Sequence, residues 1–183
     1  EDGTINSADR QYAGSPWPTL QTGLQFNAII KQFSFNLQLV GIFGNKIYND
    51  IRRNLDSYQV TNFRSDLDPW SPTHTSGEDP RLVEGSDPSV SANNMGQSDR
   101  WLESGSYVRV RNLEIAYQLP KTLLDRANFS NGRIFISGQN LFTITKYKGL
   151  DPDVQGVGII ARGLDAGNWP SSRVISFGIV ADF

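Results

Sequence analysis

Leu20-Gln21-Thr22-Gly23-Leu24-Gln25-Phe26-Asn27-Ala28-Ile29-Ile30-Lys31 is the stretch that decides the fold. Leu20, Thr22, Leu24, Phe26, Ala28 and Ile30 fall on one face, and Gln21, Gly23, Gln25 and Asn27 on the other. Alternation with period two marks a half-buried strand. A second strand follows at once, with Phe33, Phe35, Leu37 and Leu39 alternating with Ser34, Asn36 and Gln38. The link at Lys31-Gln32 is short, so the pair reads as a hairpin. Each strand runs to about a dozen residues, against about 5–6 in ordinary soluble sheets.

The same pattern returns three times further on. From Ser106 to Leu119, Val108 and Val110 share a face, with Arg109 and Arg111 opposite. After Asn112 the apolar phase flips to Leu113, Ile115, Tyr117 and Leu119, as one extra residue in a β-bulge would cause. Pro120 ends that strand, Lys121 to Asn128 predicts a short helix, and Asn131-Gly132 predicts a turn. Arg133 to Thr145 is a strand with Ile134, Ile136, Phe142 and Ile144 on one face, interrupted by Gly138 and Asn140. Ser172 to Phe183 is the last strand.

Between these strands the signal changes. Residues 45–104 hold Pro69, Pro72, Pro80 and Pro88 and many Ser, Asp and Asn, and predict a long loop with a short helix inside Asn45–Tyr58. Residues 146–170 form a second Gly- and Pro-containing loop. The fold class is therefore all-β, with five long antiparallel strands. Long links on one side and short links on the other are the habit of a transmembrane β-barrel. On that reading 1–18 is the end of an extracellular loop, and 19–44 is a hairpin of the wall. Residues 45–104 are a long extracellular loop, and 105–145 are two strands joined by a periplasmic turn at 120–132. Residues 146–170 are an extracellular loop, and 171–183 are the closing strand.

Composition removes several alternatives. Among 183 residues, 17 Lys+Arg against 19 Asp+Glu give a net charge of −2, which argues against binding nucleic acid by phosphate neutralisation. There is no cysteine, hence no disulfide, thiolate metal site or Cys nucleophile. His74 is the single histidine, too little for a His-rich zinc site or a Ser/His/Asp triad, and it reads as a loop residue. No apolar run approaches the ~18 residues of a membrane helix. No paired carboxylates or activated nucleophile stand in a catalytic pattern, so no enzyme is expected. The start, Glu1-Asp2-Gly3-Thr4, is not a signal peptide, which predicts residues upstream of it.

The chain end is similar to the C-terminal insertion signal of outer-membrane barrels. Ser176, Gly178, Ala181 and Phe183 meet its pattern of polar, glycine, apolar and terminal aromatic residues. Three further stretches carry a resemblance over nearly the whole chain. The first is Asp2-Gly3-Thr4-Ile5-Asn6-Ser7-Ala8-Asp9-Arg10 with Gly14-Ser15-Pro16-Trp17-Pro18. The second is Ser106-Tyr107-Val108-Arg109-Val110-Arg111-Asn112-Leu113-Glu114-Ile115-Ala116-Tyr117-Gln118-Leu119-Pro120. The third is Gly138-Gln139-Asn140-Leu141-Phe142-Thr143-Ile144-Thr145-Lys146-Tyr147 with Gly149-Leu150-Asp151-Pro152.

Together they resemble the C-terminal portion of the SusC/RagA family of TonB-dependent outer-membrane transporters. The resemblance implies a plugged barrel that imports oligosaccharides or peptides in the outer membrane of a Gram-negative bacterium. It also implies a SusD-like surface lipoprotein as partner, energy from the TonB complex, and insertion by the barrel-assembly machinery. Barrels of that class have about 22 strands. This chain is therefore expected to be one segment, completed by the remainder of the barrel and the plug.

Several side chains are candidates for function. Trp70, Trp101, Tyr147 and Trp169 lie in or beside the long loops, where aromatic rings can stack on sugars or meet a partner protein. They can instead pack the loops onto themselves or form the interfacial aromatic girdle. Arg109, Arg111 and Glu114 sit inside a strand, cannot comfortably face lipid, and are expected in the lumen, where they can pair with each other, contact the plug or line the substrate path; for Arg109 and Glu114 pairing is the expectation. Arg52-Arg53 reads as a solvated charge pair. Asp2, the Thr4 carbonyl and Asp9 match half of a calcium loop, and they also fit a plain surface turn. Gly156-x-Gly158-x-x-Ala161 fits a dinucleotide fingerprint by letter but lacks the βαβ setting.

By the alternation, Leu24, Phe26, Ile30, Phe35, Leu37, Leu39, Ile115, Tyr117, Ile179 and Phe183 face lipid. Gln25, Asn27, Asn36, Gln38, Glu114 and Gln118 face the lumen. Two other readings compete with the importer: a soluble all-β carbohydrate-binding module and a passive porin.

Overall fold

The computed structural model describes residues 7–56, 64–82, 96, 98–154 and 161–183. In chain order the strands are β1 (Leu20–Ile30), β2 (Phe33–Phe43), β3 (Lys46–Asn49), β4 (Leu102–Ser104), β5 (Tyr107–Gln118), β6 (Asn131–Thr145), β7 (Leu164–Asp165) and β8 (Val174–Asp182). Two helices are described, α1 (Asp50–Leu55) and α2 (Lys121–Arg126).

The five long strands form one antiparallel sheet in the order β1-β2-β5-β6-β8, so each long strand pairs with the next long strand in sequence. The register sorts side chains into rows. Ala28, Phe35, Ile115, Ile136 and Phe177 stand side by side, as do Ile30, Phe33, Tyr117, Ile134 and Ile179. The next residues along each strand point the other way, and there Asn27, Asn36, Glu114, Ser137 and Ser176 form a polar row. Each strand's apolar set thus meets the apolar set of its neighbour, which is what fixes the register.

The phase flip in β5 is a bulge. Between the row Leu37–Leu113–Gly138 and the row Leu39–Val110–Phe142, β2 advances by two residues, β5 by three and β6 by four. Arg111 is the surplus residue of β5 and has no partner in either register. Two surplus residues in β6 leave its sequence phase unchanged, and Asn140 takes a left-handed φ of 51° there. This is why the middle of β6 looks ambiguous in sequence while its ends agree.

Burial is distributed in an unusual way. Among the described residues the buried hydrophobic side chains include Ile47, Trp101, Tyr107, Ala116, Leu124 and Tyr147. None of them lies on the apolar face of the long sheet. That face is open instead: Phe177 is 78% exposed and Ile144 75%. A contiguous apolar surface of this extent needs a covering phase.

Two expectations are corrected. Asn131 and Gly132 are not a turn; they are the first residues of β6, paired with Asp182 and Ala181. The chain turns at the end of α2, where Asn128 takes a φ of 58°. Gly132 serves close packing, since a Cβ there would come within 2.7 Å of the Leu124 side chain. The long links are also not structureless. β3 pairs antiparallel with β4 and parallel with β7, which makes a second three-stranded sheet from three separate segments. These segments branch from the same end of the long sheet. The opposite end carries the two-residue turn at Lys31-Gln32 and α2. The short helix expected within Asn45–Tyr58 is α1.

Gly178 in β8 faces Phe135 across the β6–β8 ladder, and the Phe135 ring lies against it where a Cβ would stand. An aromatic ring laid over a strand glycine replaces the missing side chain. Gly178→Val should displace that ring and cost about 1–3 kcal/mol through overpacking. In the full-length protein the expected readout is less folded, heat-modifiable material, with Gly178→Ala intermediate; wild-type yield from both variants would show that the ring packing is dispensable.

Candidate functional site: the platform at the long-connection end

The two long connections are built around buried polar side chains. Asn49 ends β3 and caps α1, its Oδ1 accepting from the Arg52 N–H at 2.9 Å. Its amide nitrogen donates to Glu103 Oε1 at 3.1 Å, and Arg52 Nη1 reaches the same oxygen at 3.4 Å. The other oxygen of Glu103 accepts from the Lys148 backbone N–H at 2.8 Å. Glu103 therefore joins the first connection to the second. Arg53 pairs with Asp50 at 2.8 Å. Arg52 and Arg53 are thus bound in ion pairs, not solvated as the sequence suggested.

Asp165 in β7 is buried and accepts three hydrogen bonds. The Tyr147 hydroxyl donates to Oδ2 at 2.5 Å, and the backbone N–H groups of Gly167 and Asn168 donate to Oδ1 at 3.1 and 3.4 Å. Burial, then the bond to Asp165, then the nearby negative charges of Asp165 and Glu103 push the Tyr147 phenol far above its ordinary value. Further out, Arg100 pairs with Asp79 at 2.7 Å and stacks over the fully buried Trp101 at 4.4 Å. Arg64 pairs with Asp56 and with Asp66. His74 meets Asp68 at 2.7 Å in an exposed turn.

Arg109 ties the platform to the wall. It lies on the polar face of β5 and is 2% exposed. Its Nε donates to Thr143 Oγ1 at 2.9 Å and its Nη1 to Ser171 Oγ at 3.1 Å. Its Nη2 pairs with Asp151, and Asp153 stands 3.7 Å from Nη1. Burial of the Asp151 carboxyl works to raise its pKa. The backbone N–H groups of Asp153 and Ser171 and the Arg109 guanidinium outweigh that and hold it below the ordinary carboxylate value.

The expected Arg109–Glu114 pair is therefore absent. Both residues do lie on the polar face, but Glu114 pairs with Arg133 at 3.3 Å, on the same face of β6 four residues along from its direct partner Ser137. Arg109 and Glu114 are too far apart along one strand, and Asp151 reaches the guanidinium first. Arg111, the bulge residue, is exposed.

The aromatic candidates divide. Trp101 and Tyr147 are buried and pack the connections onto themselves, so neither ring is presented to a ligand. Trp169 is 96% exposed and Trp70 partly so. Trp17, which the sequence did not single out as a candidate, is exposed and stacks under Arg162 at 4.3 Å. Ser176 lies on the polar face opposite Ser137, Gly178 opposite Phe135 and Ala181 opposite Gly132, with Phe183 exposed beyond the end of β8. Asp9 sits in an exposed turn at Ser7–Asp9, while Asp2, Thr4, Gly156 and Gly158 lie outside the described residues. Among the described residues no three metal-ligating side chains cluster.

Comparison with known proteins agrees with this geometry. TonB-dependent receptor P3 of Formosa agariphila is 31% identical over 188 residues, covering all of this chain and 18% of the relative. TonB-dependent receptor SusC of Bacteroides thetaiotaomicron is 27% identical over 184 residues, covering all of this chain and 17% of the relative. Among solved structures, the RagAB peptide transporter superposes with a TM-score of 0.75 at 25% identity, covering 93% of this chain and 18% of that one. Over its whole length the chain is similar to TonB-dependent receptors, SusC among them, and its fold to that of the RagAB peptide transporter. No family model matches it. The chain spans under a fifth of the length of the curated relatives it matches. Those relatives are receptors and transporters by name, not enzymes.

Two outcomes follow from the platform. Tyr147 carries a raised pKa, so its contribution to stability is full below the free-phenol value of 10.0 and is lost as pH rises beyond it. Tyr147→Phe should cost about 1–3 kcal/mol by removing one donor from a buried carboxylate, and one fewer tyrosine should resist ionisation in an ultraviolet titration. Asp151 has a lowered pKa, so its contribution is full above the ordinary 3.8 and is lost as pH falls through the lower folded value. The amides of Asp153 and Ser171, which donate to it, should stay protected from hydrogen exchange at pH 4 and open only in stronger acid.

Proposed function

We propose that this chain is the C-terminal part of the barrel wall of a TonB-dependent importer in the outer membrane of a Gram-negative bacterium. The carrying observation is the inverted burial of the sheet. Its apolar rows are bare and continuous, while its polar face and one end hold the packed side chains. Lipid is the phase that covers such a surface, and alternation of lipid-facing with lumen-facing residues is how a barrel strand meets both. Lone strand edges have no place in lipid, so β1 and β8 would pair with further strands of the same protein.

On this reading the platform is extracellular and the Lys31-Gln32 turn and α2 are periplasmic. A SusD-like lipoprotein would meet the platform, and the cargo would be an oligosaccharide or a peptide. A plug and TonB contact would come from the rest of the protein, and Ser176, Gly178, Ala181 and Phe183 would be read by the assembly machinery. Exposed Trp169 and Trp70 would contact cargo or the lipoprotein, and Asp2, Thr4 and Asp9 would complete a calcium loop with upstream residues.

The test uses the full-length protein in its native membrane. After carbonate washing it should stay in the outer-membrane pellet. Uptake of labelled peptides or oligosaccharides should depend on both this protein and TonB. Release by carbonate would overturn the barrel reading and favour a soluble binding module. Uptake that survives loss of TonB would make it a porin.

A further inference from the structure

We propose that Arg109 is the positioning residue that closes the neck of the second long connection and so sets where its exposed end, with Trp169, meets cargo. The inference rests on the import reading for its last step only.

The connection leaves the wall after β6 and returns at β8. One guanidinium holds both of its ends and the wall together. Nε is spent on Thr143 in β6, Nη1 on Ser171 at the returning end, and Nη2 on Asp151 at the departing end. Asp151 bridges the same two ends from the other side. Its Oδ1 accepts from the Asp153 N–H at 2.9 Å and its Oδ2 from the Ser171 N–H at 2.8 Å. The two side chains therefore form a closed ring of hydrogen bonds across the neck.

An arginine is suited to this because its planar fork serves three segments in fixed directions, which an ammonium cannot. A buried ion pair contributes little net stability but specifies geometry, since an unpaired buried charge is costly. The bare ring of Trp169 stands between Asn168, whose N–H donates to Asp165, and Ser171 in the neck, so the neck fixes one side of its place.

The experiment compares full-length wild type with Arg109→Lys and Asp151→Asn in outer-membrane vesicles. Hydrogen exchange at 151–154 and 171–173 should speed up about tenfold, the worth of a lost charged hydrogen bond. Amides of β5 and β6 should keep wild-type protection. For cargo uptake, KM should rise several-fold while the maximal rate per inserted copy stays within about twofold. Arg109→Lys keeps the charge and should not rescue.

Unchanged exchange at the neck would overturn the proposal, as would an equal loss of protection throughout the wall. An unchanged KM in both variants would overturn the positioning step. If Arg109→Lys fails to insert, Asp151→Asn and Ser171→Ala decide the same question from the other side of the ring. If wild type imports neither peptides nor oligosaccharides, the import reading has failed, and the exchange measurement still decides the neck.

Discussion

The lateral ladder of backbone hydrogen bonds is what everything else in this chain hangs on. Five strands are held at one register, and register alone decides which side chains share a face. A slip of one residue in β2 would carry Phe33, Phe35, Leu37 and Leu39 to the polar side. Apolar neighbours on both sides of each of these residues oppose that slip. The ladder therefore both creates the two faces and is protected by them.

The polar groups divide the work differently. On the wall they are mostly neutral amides and hydroxyls, with Arg133–Glu114 as a cross-strand pair. At the platform they are buried or half-buried carboxylates, each shared between separate stretches of the connections: Glu103, Asp151 and Asp165. A carboxylate accepts several donors at once, so one residue can gather several loops. Apolar burial adds to this at Ile47, Trp101 and Tyr147. The platform is thus organised by acceptors, where a soluble domain of this size would be organised by an apolar core.

Much of the wall was legible in sequence because period-two alternation is local. The strands, the hairpin at Lys31-Gln32, the bulge after Asn112 and the sorting of Phe26 from Asn27 all came from neighbouring letters. The resemblance to SusC/RagA transporters was carried by the stretches around Arg109 and Asp151. What the sequence hid is long-range. Strands as short as β3, β4 and β7 have too few residues to show a period, and their partners lie far away in the chain. The partner of Arg109 was missed for the same reason, since Glu114 is near in sequence and Asp151 is near in space. Asp151-Pro152-Asp153 after a strand, with a lone strand arginine upstream, was the available signal. Asn131-Gly132 misled because those letters favour a turn, whereas Gly132 is there to admit Leu124.

The staggered surplus across β2, β5 and β6 bears on how such a wall can change by insertion and deletion. Losing Arg111, the surplus residue, would leave Leu39 opposite Val110 and Gln38 opposite Asn112 and keep both faces of β5, whereas losing a paired residue such as Ile115 would exchange the destinations of those on one side of the gap. Losing two residues near Asn140 would shorten β6 and keep its faces intact. Single losses along these strands are therefore tolerable at the surplus residues and ruinous at the paired ones. The bulge acts as a frame marker for side chains, much as a codon boundary does for bases.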